Sequence, residues 1–330
     1  MIANWEFSTI DKIFIEKLQG FIPEKVFDSH AHLYRLSDQK NVEHTYLDEG
    51  PDESGYDVWK EHIGRIVAPA NLSGGLFFPM VTHNCDIDSS NSYLAKQLEA
   101  TQDSRGLILI SPDSSINKIG EYLLNPRIIG FKPYFYFSRE IPIGEASILS
   151  FLPEWAWELA DDRKLTVTLH IVKRKALADP DNQDVIYRMC RKYPGVKLIL
   201  AHAARGFHPE NTIEGLEALK ELENIWFDSS AICEAKPLKA VLKFFGSKKL
   251  LWGTDFPISE MRGKCVSVGD GFAWLDNSVV NWDNQLCNPI LFSIESLSAL
   301  KEASEEMELN EDDVKNIFFN NAKNLFGLKD

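Results

Sequence analysis

Among the 330 residues of this chain, those best suited to chemistry start with His30 and His32, spaced as HAH within the run VFDSHAHL that begins at Val26. Side chains on a β-strand alternate between its faces, so both imidazoles project to the same side. Two nitrogens held in that way form a clip for a divalent metal ion, although a polar pair at a strand edge has the same spacing. Asp28 shares their parity, which places its carboxylate to accept the second N–H of an imidazole and orient the ring. Three further apolar runs end in a potential ligand: LTVTLH at His170, VKLILAH at His202 and LLWGTD at Asp255. Any one of these is readable as a satisfied polar residue at a sheet edge. Four runs that all end in His or Asp point instead to one nitrogen-and-carboxylate centre, of the kind that suits Zn²⁺ or a similar divalent ion.

Residues on different segments converge only if the intervening chain returns each run to the same rim. Eight short apolar or β-branched runs fall between Val26 and Ile258, beginning at Val26, Gly74, Arg105, Ile128, Leu165, Val196, Asn224 and Leu250. Several are apolar on both faces, as strands of a parallel sheet covered by helices must be. Amphipathic stretches alternate with them at Ile116 to Leu124, Ile148 to Arg163, Val185 to Tyr193, Thr212 to Glu223 and Pro237 to Phe245. This order predicts an α/β fold, a (β/α)8 TIM barrel forming one domain over residues 1–330, in preference to an open doubly wound sheet. An amphipathic helix precedes the barrel. Long excursions follow the first strand, from Leu33 to Pro69, and the eighth, from Arg262 to Asn288, where loops of such length serve as lids or ligand walls. At the end of the chain, Asn310 is placed to cap a helix whose first turn carries Glu311, Asp312 and Asp313, and Gly327 to close it.

With HxH on the first strand, His on the fifth and sixth and Asp on the eighth, the chain resembles the amidohydrolase superfamily of metal-dependent barrels. The motifs WGTDFP around Asp255 and NNAKNLFGL from Asn320 are similar to those of the amidohydrolase-related branch, which contains lactonases, other hydrolases and decarboxylases; the likeness runs from Val26 to Leu328. It implies that His30, His32, His170 and Asp255 hold one metal ion, with water in an open position and His202 beside it as acid/base or oxyanion stabiliser. A metal ion lowers the pKa of such a water towards about 7 and polarises a carbonyl. Asp255 would then take a proton from the water and pass it to the leaving group.

Lys132, in GFKPY on the fourth strand, has three readings. It anchors a substrate carboxylate, it is carboxylated and bridges two metals as in other superfamily members, or it is a structural lysine paired with an acid. Arg205, three residues after His202, either grips a carboxylate through two parallel hydrogen bonds or pairs with a loop acid. Tyr134, Tyr136 and Trp274 could wall a pocket or simply pack. His83 is a candidate substrate contact, whereas His44, His62 and His208 read as surface or loop histidines.

Composition narrows the partners. Hydrophobic residues at 44% and charged residues at 25% match a folded globule. A net charge of −14 lacks the basic surface that nucleic acid or an anionic membrane requires, though a local positive pocket remains compatible with a small anionic substrate. The N-terminal residues lack a signal-like apolar run, and no stretch reaches about 18 apolar residues. Five widely spaced cysteines without a CxxC pair indicate a reducing, cytoplasmic setting. The face formed by Ile10, Phe14, Leu18 and Phe21 either supports a homodimer or covers an end of the barrel. No dinucleotide-binding, Walker or HExxH motif is present, and CVSVG around Ser267 lacks the first glycine of a nucleophile elbow. The expected function is a metal-dependent hydrolase of a small carboxylated lactone, ester or amide, the alternative a non-oxidative decarboxylase.

Overall fold

The computed structural model describes residues 5–39, 47 and 50–329. Eight parallel strands form the barrel: β1 (Lys25–Arg35), β2 (Asn71–Pro79), β3 (Arg105–Ile110), β4 (Ile128–Pro133), β5 (Thr166–Leu169), β6 (Lys197–Leu200), β7 (Ile225–Asp228) and β8 (Leu250–Leu251). Each pairs with the next in sequence. The seam between β8 and β1 is closed by main-chain hydrogen bonds, from Ser29 N to Trp252 O (2.9 Å), from Asp255 N to His30 O (2.8 Å) and from His32 N to Phe256 O (2.6 Å). Closure leaves no sheet edge between β1 and β8 and brings the first and last ligand-bearing segments side by side.

The interior follows from the apolar runs. Phe27, Leu76, Leu107, Ile199 and Leu251, from five strands, are fully buried and pack with Ala322, Leu325 and Phe326 of the closing helix. Each large apolar side chain buried in this way contributes roughly 1.5–3 kcal/mol. The closing helix sits where the strands begin, since Lys197 Nζ donates to Leu325 O. At Gly130 an added Cβ would lie 1.7 Å from Thr166 O, so only glycine lets β4 approach β5 there. The helix start at Asn310 carries both hydrogen bonds of a capping box, and Gly327 ends the chain's last helix in the left-handed conformation.

The structure adjusts several expected elements. The amphipathic stretch from Ile148 to Arg163 is two helices, Ile148–Phe151 and Glu154–Asp162. The break falls at Leu152 because Pro153 disfavours the helical region for the residue before it. The stretch from Thr212 is a helix at Pro209–Gly215 followed by a 3-10 turn at Leu216–Leu219. In the N-terminal helix Thr9–Leu18, Leu18 is buried, and Ile10, Phe14 and the following Phe21 pack on the core; the Phe21 ring meets Phe318 at 5.5 Å. That apolar face covers the barrel of its own chain.

The first excursion returns through a two-residue strand at Glu53–Ser54, antiparallel to the end of β1, and a helix at Tyr56–Val67. The second contains a hairpin, β9 (Lys264–Val268) and β10 (Gly271–Leu275), whose turn uses Gly269 at φ +59°. No helix of the described residues is long and apolar enough to cross a membrane.

Candidate metal centre

The ends of β1 and β8 bring the first three candidates together. Asp255 Oδ1 lies 3.2 Å from His30 Nε2 and 3.3 Å from His32 Nε2. The Phe78 ring stands edge-on to both imidazoles, at 4.7 and 4.6 Å. His30 Nε2 is buried without a hydrogen-bond partner, so a nitrogen with ligand chemistry faces a carboxylate that gives it no hydrogen bond. Burial pushes His32 down to about 4 and His170 well below the ordinary histidine range, leaving neutral imidazoles, the form that binds metal. Burial opposes the Asp255 carboxylate too, but His202, His30 and His32 outweigh it and hold its pKa well below the usual range.

His170 follows β5 directly and stands beside His202, their rings 5.0 Å apart, and its buried Nδ1 has no hydrogen-bond partner. Among the described residues, the groups whose ligand atoms all lie within 4.8 Å of one another are His30, His32 and Asp255, and His30, His202 and Asp228. His170 is next to these groups and in neither.

Asp28 does not orient an imidazole. Its two oxygens take the Trp59 indole N–H (2.9 Å), the Thr254 backbone N–H (2.9 Å) and the Thr254 hydroxyl (2.6 Å), fastening β1 to the segment after β8. Burial raises its pKa to about 6 against those bonds. The orienting carboxylate is Asp228, whose Oδ2 accepts from His30 Nδ1 at 2.9 Å. Asp228 ends the apolar run NIWFD in the same way that Asp255 ends LLWGTD, so the signal that singled out Asp255 was present there as well.

His202 reaches the site by another route. It lies beyond β6 in a run of four non-glycine residues in the left-handed region: His202, Ala203, Ala204 and Arg205 at φ +57°, +48°, +59° and +59°. At about 1–2 kcal/mol per residue, the run costs on the order of 4–8 kcal/mol and needs support from its surroundings. Asp228 Oδ1 accepts the His202 N–H (2.9 Å), Ser230 O accepts from His202 Nδ1 (3.0 Å), the Thr212 hydroxyl donates to Ala203 O (2.7 Å) and Arg205 donates to Lys173 O (2.7 Å). Ala203 and Ala204 are completely buried. With its Nδ1 proton given to Ser230 O, His202 carries a lone pair on Nε2. That favours acid/base work over donation to an oxyanion.

Above these residues opens a cavity of about 400 Å³ whose walls include His32, Tyr134, Tyr136, His170, His202, Arg205, Asp255, Phe272, Trp274 and Asp276. The hairpin of β9 and β10 supplies Phe272 and Trp274. Arg205 has its Nε buried and unpartnered, with its guanidinium 5.5 Å from the Phe272 ring. Asp276, which sequence reasoning passed over because it lies in a long loop without a periodic pattern, adds a carboxylate to the wall. Lys132 is wholly buried, its Nζ without a hydrogen-bond partner and 4.8 and 5.0 Å from the Phe78 and Tyr134 rings. It forms no ion pair with an acid among the described residues, and burial pushes it down to about 8 against the pull of Asp228 and Asp255.

Three other histidines lie away from the chemistry. His83 is exposed and outside the cavity wall, its ring 5.8 Å from that of Tyr136. His62, expected at the surface, is buried on the helix Tyr56–Val67 with Nδ1 3.3 Å from Glu260 Oε2, because the helix turns that side towards the barrel. His208 is half-buried in a loop and donates from Nε2 to Gly269 O. His44 lies outside the described residues.

Residues 27–328 match the amidohydrolase family. The chain belongs to that family. It is therefore an enzyme, and its His and Asp groups suit the divalent ion on which amidohydrolase chemistry depends. It is similar to L-fucono-1,5-lactonase of Burkholderia ambifaria, at 26% identity over 285 residues that cover 80% of this chain and 88% of the lactonase. An amidohydrolase from Burkholderia multivorans with bound zinc shares the fold, with a TM-score of 0.61 and 14% identity over 92% of this chain and 99% of that one. A probable 2-pyrone-4,6-dicarboxylic acid hydrolase from Acinetobacter baumannii, with citric acid bound, does so with a TM-score of 0.60 and 15% identity over the same shares.

Proposed function

We propose that this amidohydrolase uses one divalent ion, Zn²⁺ in the first instance, to hydrolyse a small anionic lactone, ester or amide. The observation that carries the reading is the buried His30 Nε2, unpartnered beside His32 and Asp255, which line the cavity. Leaving such an atom unpaired costs about 1–3 kcal/mol, an arrangement that a metal ion relieves. His30, His32 and Asp255 would hold the ion, with His170, whose ring stands beside His202, as the further ligand. When bound, the ion supplies Lewis-acid polarisation of a carbonyl and makes water more acidic. Zinc is the ion found in the Burkholderia multivorans neighbour, and the lactonase relative supports a lactone as the substrate.

The protein's own groups do the rest. Asp255, kept ionised by the surrounding imidazoles, accepts the proton of the attacking water and delivers it to the leaving oxygen or nitrogen. His202 Nε2 takes part as a second acid/base beside His30, their rings 4.8 Å apart. Arg205 aligns a substrate carboxylate, and Tyr134, Phe272 and Trp274 close over the apolar part of the ligand and exclude water. Lys132, below the ring of Tyr134, is a second anchor for negative charge.

The reading is tested with protein purified without chelators, analysed for metal and then offered small carboxylated lactones in ¹⁸O-labelled water. Expected are about one ion per chain, product acids carrying one solvent oxygen, and activity lost to a chelator and restored by zinc or manganese. Release of carbon dioxide without water incorporation would make the enzyme a decarboxylase. A protein that holds no divalent ion, and gains no activity from one, overturns the proposal.

A further inference from the structure

We infer that Asp228 is the positioning residue of this site, a buried carboxylate that sets the metal-facing nitrogen of His30 with one oxygen and pins the left-handed turn of His202 and Arg205 with the other. The His30 half rests on the metal reading above; the half concerning the turn stands without it.

Asp228 ends β7, is completely buried, and does not line the cavity. It therefore acts through other residues. Its partners are all donors. Oδ2 takes the Nδ1 proton of His30 at 2.9 Å. Oδ1 takes the backbone N–H of His202 at 2.9 Å, that of Ser230 at 3.1 Å and the Ser230 hydroxyl at 2.5 Å. An ionised carboxylate can only accept, so His30 carries a proton on Nδ1, and in the neutral ring that binds metal the lone pair is then on Nε2, directed at His32 and Asp255. The second half is steric. The His202 N–H is the first of the four left-handed residues, so the bond to Oδ1 fixes where the turn leaves β6 and where Arg205 emerges three residues later. The same Ser230 that bonds Oδ1 also receives His202 Nδ1, so the backbone and ring of His202 are both referred to Asp228.

The oxygens have unequal loads, three donors on Oδ1 and one on Oδ2, and this makes two substitutions behave differently. In Asp228→Asn the single carbonyl oxygen stays with the three donors and the new NH₂ group faces His30. The imidazole must then accept at Nδ1, its proton moves to Nε2, and the metal-facing lone pair is lost. In Asp228→Ala both bonds go.

The experiment measures zinc affinity by competition with a chromophoric chelator and malonate affinity by calorimetry on zinc-free protein, with Arg205→Ala identifying the malonate site. Asp228→Asn is expected to weaken zinc by about 10–100-fold, the usual effect of losing a partner that orients a ligand, and to leave malonate nearly unchanged. Asp228→Ala is expected to weaken both, malonate by about tenfold or more. Adding Ala204→Gly to Asp228→Ala restores malonate binding without restoring zinc, because glycine adopts the left-handed conformation without support. Unchanged zinc affinity in Asp228→Asn overturns the His30 half, and unchanged malonate affinity in folded Asp228→Ala overturns the half concerning the turn. If Asp228→Ala does not fold even with Ala204→Gly, Asp228 is a general structural residue and the inference fails. Should the wild-type protein itself take up no zinc, the proposed function fails, while the malonate measurements still decide the role of Asp228 in the turn.

Discussion

The two sides of the active rim hold their residues in different ways. His30, His32 and Asp255 sit at the seam where β1 meets the segment after β8, held by main-chain bonds from Ser29, His32 and Asp255 and by the Asp28 clamp on Trp59 and Thr254. His202 and Arg205 stand on a left-handed turn that is unfavourable by itself and persists through Asp228, Ser230, Thr212 and the Lys173 carbonyl. The paired strand β1 holds His30 and His32 as a by-product of the fold, while Asp255, beyond β8 at φ +61°, is tied to that strand through its N–H bond to His30 O. A strained turn holds its residues only through specific props, and in return it aims two side chains at the cavity from one short segment.

The largest expected difference between the sides is chemical. Asp255→Asn should reduce turnover by roughly 10²–10⁴-fold with little change in melting temperature, since the proton-accepting charge is removed and the seam remains. Near-wild-type turnover in that variant would remove Asp255 from the proton transfers. Next in size, His30→Ala should lower zinc affinity at least about 100-fold, beyond the effect of losing an orienting partner. Arg205→Ala should leave zinc in place and raise KM for an anionic substrate by about 10–100-fold, the worth of a charge-assisted hydrogen bond. Binding assays and steady-state kinetics on the two variants check this division, and a loss of zinc from Arg205→Ala would show that the two sides are not separate.

The smallest effect probes the strain itself. Ala31 and Ala204 are both completely buried alanines, one on β1 and one in the turn. Ala31→Gly should cost about 1–2 kcal/mol, from the lost methyl and the freer unfolded chain. At Ala204 relief of the left-handed conformation offsets those losses, so Ala204→Gly should lie within about 0.5 kcal/mol of wild type. Denaturant unfolding measures both, and equal destabilisation would refute the strained turn.

Much of this was legible in the chain. The runs ending in His30, His32, His170 and Asp255 have the residue types and period of barrel strands that end in ligands, and the structure places all four at one rim. Asp228 carried the same mark, an apolar run ending in an acid, and was missed because a lone aspartate before two serines also reads as a turn. The choice of Asp228 over Asp28 as the partner of His30 was not legible, because parity says which face a side chain leaves from and not which donors come within 3 Å of it. His62 looked like a loop histidine because its burial depends on the side of its helix that meets the barrel.

What the sequence determined alone was the set of chemical groups and the repeating order that returns them to one end of a barrel, because both follow from local period and residue type. Only the tertiary structure decided that AHAAR would leave its strand as a left-handed turn. Nothing in two alanines between a histidine and an arginine favours that conformation. It exists because a buried carboxylate on the next strand, a serine carbonyl and a threonine hydroxyl supply hydrogen bonds from segments separated in sequence, which together outweigh a local preference that points the other way.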